Sequence, residues 1–94
     1  MILSSPIEFQ WDKGNIDKNL KGHDVANEEI EEVFFGHRIK VVKDMFHSGK
    51  EERYLLIGKT LFDRVLFIVF TLRNNKVRVI SASDLNKKEE GLYL

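Results

Sequence analysis

The sequence predicts an α+β fold: a mostly antiparallel sheet of four or five strands, two N-terminal helices on one face, and a short C-terminal helix. Three observations lead there. Helix-spaced apolar residues and chain breakers occupy the first third of the chain. Beyond Gly36 the spacing changes to that of extended chain. The run Val65-Leu66-Phe67-Ile68-Val69-Phe70 is apolar on both faces, as a central strand must be.

Taken in order, Ile7, Phe9 and Trp11 alternate with Glu8 and Gln10, which predicts a short first strand buried on one face. The only proline, Pro6, precedes it, where a missing donor does no harm. Asp12 is the expected N-cap of a first helix running to about Lys21, with Ile16 and Leu20 as its apolar stripe, and Gly22-His23-Asp24 breaks it. A second helix is expected near Asn27, read as its N-cap, with Glu28 and Glu29 at the positive end of its dipole and Ile30, Val33 and Phe34 along one face; Gly36 stops it. Ile39 to Lys43 reads as a strand, Asp44 to Lys50 as a polar loop, and Arg53 to Gly58 and Arg64 to Arg73 as further strands. Asn74-Asn75 tolerates positive φ and predicts a tight hairpin into Val77, Val79 and Ile80, completing a three-strand meander. Asn86 and Glu89 have the spacing of a capping box at the head of the last helix. Such a sheet leaves its second face open to solvent or a ligand.

Ninety-four residues accommodate a single domain, 1–94, and 43% hydrophobic residues including seven Phe supply its core. The absence of cysteine excludes a disulfide framework, a thiolate metal site and a cysteine nucleophile. No apolar run is long enough for a signal peptide or a membrane span, so a cytoplasmic protein with no membrane partner is expected. The formal net charge is zero, but it divides: residues 1–52 carry seven Lys/Arg against eleven Asp/Glu, and residues 53–94 eight against four. A basic C-terminal half gathered on one surface could attract phosphate despite overall neutrality.

Nucleotide-binding glycine loops and hydrolase or zinc-protease motifs are absent. The three histidines, at 23, 37 and 47, have neither helical nor strand ligand spacing, so no metal or other cofactor is expected. What remains is acid, base and guanidinium chemistry. His47 stands in the polar loop with Glu51, Glu52 and Arg53 close behind, so a group that titrates near neutrality and a cation could share one space. Arg53, Arg64 and Arg78, on adjacent strands, could converge as a forked phosphate clamp, or else cap strand ends as solubilising charges. Lys87 and Lys88 occupy the first turn of the last helix against its dipole, which suits an anion partner, although surface lysines are commonly just solvated.

Two blocks resemble a known family. Phe9-Gln10-Trp11-Asp12, Asn19, His23-Asp24-Val25, Glu28-Glu29 and Val33-Phe34 form the first; Asp44, His47-Ser48 and Glu51-Glu52-Arg53-Tyr54-Leu55-Leu56-Ile57-Gly58 form the second; Arg78-Val79-Ile80-Ser81-Ala82 continues the match. Together they resemble the BrnT toxins. The resemblance implies a RelE-like fold, metal-independent cleavage of RNA that inhibits translation, and neutralisation by a cognate BrnA-like antitoxin, in an assembly such as a homodimer or a heterotetramer with the antitoxin. Carried over by position, the catalytic candidates are His47, Glu51, Glu52, Arg53 and Arg78, with Arg64, Lys87 and Lys88 as RNA-binding candidates. The chain departs from the family pattern where Ser83 replaces a usual Arg, Asn15 a usual Lys, and Gly22-His23-Asp24 a Lys-His-Gly. The alternative reading is therefore a catalytically silent module that binds an antitoxin or RNA without cleavage.

Overall fold

In a computed structural model of the protein, residues 3, 6–36, 38–45, 49 and 51–93 are described, with the side chains of 92 and 93 left aside. Helices α1 (Lys18–His23) and α2 (Asn27–Phe34) precede four strands, β1 (Lys40–Asp44), β2 (Arg53–Lys59), β3 (Val65–Arg73) and β4 (Lys76–Asp84), and helix α3 (Lys87–Tyr93) follows them. The strands form one antiparallel meander in the order β1-β2-β3-β4. The expected α+β architecture therefore holds, with four strands in the sheet. No helix among the described residues is long and apolar enough to cross a membrane.

Period-two alternation sorts the sheet into two faces. Leu56, Leu66, Ile68, Phe70, Val77, Val79 and Ala82 point to one side and join Ile30, Val33 and Phe34 of α2 in the core. Phe70, fully buried, meets Phe34 edge-on at 5.1 Å and stacks on Tyr54 at 5.5 Å between ring centroids. Gly58 lets α2 come this close: a Cβ there would stand 2.8 Å from Val33 Cγ1 and 2.9 Å from Ile39 Cγ2. The opposite face carries Arg53, Leu55, Ile57, Phe67, Val69, Thr71 and Arg78.

The apolar run of β3 spans both faces, which is what its central place in the sheet demands. Asn74 and Asn75, at φ 52° and 64°, make the expected hairpin, since two successive left-handed residues match the twist of the flanking strands. The ladder slips by one residue between Val69 and Phe70: Val69 faces Ser81, Phe70 faces Val79, and Ile80 is the extra residue of a bulge. Because of that bulge, Arg78 and Ser81 share the open face although they stand three apart.

The N-terminal segment differs from the sequence expectation in an informative way. The first strand shrinks to a single parallel bridge between Phe9 and Val77. The first helix starts at Lys18 rather than after Asp12, and its expected apolar stripe is turned outward, with Ile16 and Leu20 nearly half exposed. The buried positions are instead Asn15 and Asn19. The reason is that this segment seals the outer edge of β4 rather than a face of the sheet, and an edge offers unpaired backbone groups instead of apolar surface. Gln10 N–H donates to the Val77 carbonyl and Val77 N–H to that of Glu8. Asn15 Nδ2 donates to the carbonyl of Val79, Lys18 Nζ donates to that of Ile80, and Asn19 Oδ1 accepts from Ala82 N–H at 2.9 Å.

Two helix starts obey capping chemistry. Asn27 is the first residue of α2 and not its cap; the cap is Ala26, whose N–H donates to the Glu29 carboxylate. At α3 the expected box closes fully, Asn86 N–H donating to Glu89 Oε1 at 3.0 Å and Glu89 N–H to Asn86 Oδ1 at 2.9 Å.

Candidate active site

Three strands bring one residue each to the same cross-strand row. Arg53 of β2 pairs with Thr71 of β3, and Thr71 pairs with Arg78 of β4. Directly paired residues point to the same face, so both arginines stand on the face away from α2, their Cα atoms two strand spacings or ~10 Å apart. Side chains of arginine length reach the ground between them. They do so in a cavity of about 340 Å³ lined by Gly49, Glu51, Arg53, Thr71, Arg73, Arg78 and Ile80. Among the described residues that line it, three are arginines and one, Glu51, is a carboxylate.

Two of the guanidiniums, Arg78 and Arg73, are held by carboxylates. Arg78 donates through Nη1 to Asp12 Oδ2 at 2.6 Å and through Nη2 to Asp12 Oδ1 at 3.1 Å, with Gln10 Oε1 accepting a further bond at 3.2 Å. Arg73 forks onto Glu51 at 2.7 and 2.8 Å. Thr71 spends its hydroxyl on the backbone carbonyl of Glu52. The Arg78 fork holds the Asp12 carboxyl below its usual pKa, helped by a bond from Gly14 N–H, and the Arg73 fork does the same for Glu51. Gly14 completes the fit, since a Cβ there would lie 2.8 Å from Arg78 Nη2.

A carboxylate whose folded pKa is depressed stabilises the fold above its unfolded pKa, and that contribution disappears as pH falls through the lowered value. Asp12, Glu51, Glu52 and Asp84 all shift in this direction. Acid therefore weakens the fold below about pH 4, the ordinary carboxylate range. Urea midpoints measured between pH 7 and 2 should fall over that window, and Asp12→Asn should flatten the fall. An acid limb identical to that of the parent would show that the Asp12–Arg78 pair does not form in solution.

The other sequence candidates are placed elsewhere. Arg64 does not join Arg53 and Arg78. It turns to the helix side, where Nη1 donates to both oxygens of Glu29 and to the Asp24 carbonyl, while Nε and Nη2 fork onto Asp84 at 2.6 and 3.1 Å. These bonds raise its pKa above an already high value, and they tie α2 to the start of β3 and the end of β4. Glu52 points away from the arginine cavity toward Lys43 and Tyr54, bonding the first at 2.8 Å and the second at 2.9 Å. Lys87 and Lys88 are exposed on α3 and do not line the cavity. His47 lies outside the described residues. Among the described residues no cluster of three or more His, Cys, Asp or Glu side chains could hold a metal ion.

Sequence reasoning missed Asp12, Gln10, Thr71 and Arg73. Asp12 reads naturally as a helix cap, and only its folded position across the β4 edge shows it as the partner of Arg78. Arg73 did carry a local signal, because it stands two residues from Thr71 at the end of a strand and so shares its face.

No curated protein matches the chain. A family model does, over residues 11–89, and its description is ribonuclease toxin, BrnT, of type II toxin-antitoxin system. The matched span takes in Asp12, all four strands and their arginines, so the chain belongs to the BrnT family of type II toxin–antitoxin ribonuclease toxins.

Proposed function

We propose that the Arg53–Thr71–Arg78 row is the phosphate-binding floor of an endoribonuclease active site that works without a metal ion. The observation that carries this reading is the shared row and cavity, because two guanidiniums lining one space supply the cationic N–H donors that suit the oxygens of a phosphodiester. In the reaction, the 2′-oxygen of RNA forms a bond to the adjacent phosphorus while the bond to the 5′-oxygen of the next nucleotide breaks. The 2′-hydroxyl proton passes to a base and the leaving oxygen receives one, giving a 2′,3′-cyclic phosphate and a 5′-hydroxyl end. Arg53 and Arg78 stabilise the charge that builds on the phosphoryl oxygens.

Glu51, held ionised by Arg73, acts as a proton acceptor and not as a donor at neutral pH. His47 is proposed as the proton donor on the strength of its place in the sequence. Glu52, bound to Lys43 and Tyr54, supports the β2 end of the site rather than the reacting atoms. Lys87 and Lys88 extend the basic surface for RNA, and Arg64, with its donors spent on Glu29 and Asp84, belongs to the scaffold. Membership of a type II toxin–antitoxin family supports the biological reading, in which cleavage inhibits translation and an antitoxin of the BrnA-like kind neutralises the toxin in the cytoplasm, on a RelE-like fold.

The rival reading, a silent module, draws on Ser83 in place of a usual Arg. Ser83 pairs with Phe67, four residues along β3 from Thr71, or ~13 Å from the arginine row. Ser83 itself does not line the arginine cavity, which favours the active reading. Incubating the protein with RNA in EDTA tests it. Cleavage to 2′,3′-cyclic phosphate ends is expected; RNA left intact, with tight co-purification of a small partner protein and harmless expression, would establish the silent module instead.

A further inference from the structure

The arginine cavity has a second cationic row beside the Arg53–Arg78 floor. Arg73 stands two residues beyond Thr71 on β3, ~6.8 Å along the same face, and pairs across the hairpin with Lys76 of β4. That offset is comparable with the separation of successive phosphates along an extended RNA strand. Arg73 lines the same cavity as Arg53 and Arg78, and its donors fork onto Glu51, a carboxylate with the same two-oxygen geometry as the exposed edge of a phosphate. Both partners of this ion pair are nearly half exposed, so the pair is weak and a phosphate can displace it.

We infer that Arg73 is the seat of a second phosphate, adjacent to the one undergoing cleavage, so that the site recognises RNA through two consecutive phosphates. This rests on the ribonuclease reading above. The row spacing decides the ligand class: a mononucleotide or a lone phosphodiester fills only the Arg53–Arg78 floor, whereas single-stranded RNA fills both. Arg73 is thus a positioning residue that fixes the register of the strand and hence which phosphodiester lies on the floor.

The test compares a dinucleotide with one phosphodiester, NpN, against the same dinucleotide with a terminal phosphate on its 5′ side, pNpN, or its 3′ side, NpNp. One of the two phosphorylated forms is expected to gain about 10-fold in kcat/KM over NpN, the size of one charge-assisted contact. That gain should vanish in Arg73→Ala, while Arg53→Ala and Arg78→Ala depress all three substrates together. Binding of the uncleavable 2′-deoxy forms is measured in parallel. There, Arg73→Ala should lower the slope of log affinity against log salt by about 0.7 for the phosphorylated ligand. A gain that survives in Arg73→Ala, or no gain and no change of slope for either terminal phosphate, overturns the second seat. Binding that obeys the pattern while every ribonucleotide stays intact leaves the second seat standing and overturns the cleavage reading instead.

Discussion

Arg78→Ala should lower the rate of RNA cleavage about 10²- to 10³-fold, the usual consequence of deleting one preorganised donor to a developing oxyanion. The structure explains why this position should be so sensitive. Arg78 is only 15% exposed, and Asp12 and Gln10 fix its guanidinium from behind, so its orientation is set before substrate arrives. Arg53→Ala should act comparably from the other side of Thr71. Arg78→Lys should recover only part of the loss, because an ammonium keeps the charge and forfeits the fork. Single-turnover cleavage of a short RNA separates the chemical step from binding, and far-UV circular dichroism checks that the sheet persists. Parental rates in both alanine variants would rule out the Arg53–Arg78 row as the catalytic floor.

Phe70→Ala should cost about 3–5 kcal/mol of stability, the range for emptying a buried aromatic site. Phe70 is fully buried, and it is the ring on which Phe34 of α2 and Tyr54 of β2 both pack. A domain of this size has about 5–15 kcal/mol in total, so the variant should lose a large fraction of its stability. Phe70→Leu, which keeps most of the volume, should cost considerably less. Urea unfolding followed by tryptophan fluorescence reads the difference, since Trp11 is half-buried against the same core and its Nε1 donates to Glu31 of α2. A change below about 0.5 kcal/mol, the level of an ordinary surface substitution, would mean that α2 does not pack on this face. Phe70 lies next to Thr71 in the chain but on the opposite face. Its loss should therefore lower cleavage through the amount of folded protein and not through the rate per folded molecule.

Much of the architecture was legible because it depends on local chemistry. The asparagine pair at 74 and 75 makes a hairpin wherever strands flank it, since two left-handed residues in succession admit little else. Asn86 and Glu89 close their box within one turn. The doubly apolar run of β3 can be satisfied only between two other strands. The first helix failed the same local logic. Ile16 and Leu20 have helical spacing, yet the segment had to satisfy the backbone of the β4 edge, and so Asn15 and Asn19 went inside instead. An edge to be sealed is invisible in the helix's own residues.

Local residue patterns were enough for the number and kind of elements from α2 onward, the second face of the sheet, and the supply of guanidinium groups in its basic half. Tertiary structure alone decided which of those groups meet. Arg53, Arg64 and Arg78 are equivalent as letters, but the register of β2, β3 and β4 puts the first and third in one row, while Arg64 turns to the helices and is used up by Glu29 and Asp84. Asp12 reaches Arg78 across 66 positions of chain, a pairing that no local pattern encodes. Side-chain alternation and turn chemistry act over a few residues and can be read directly. Strand register and the choice of ionic partner are set by segments far apart in sequence, which acquire a fixed relation only when the core closes.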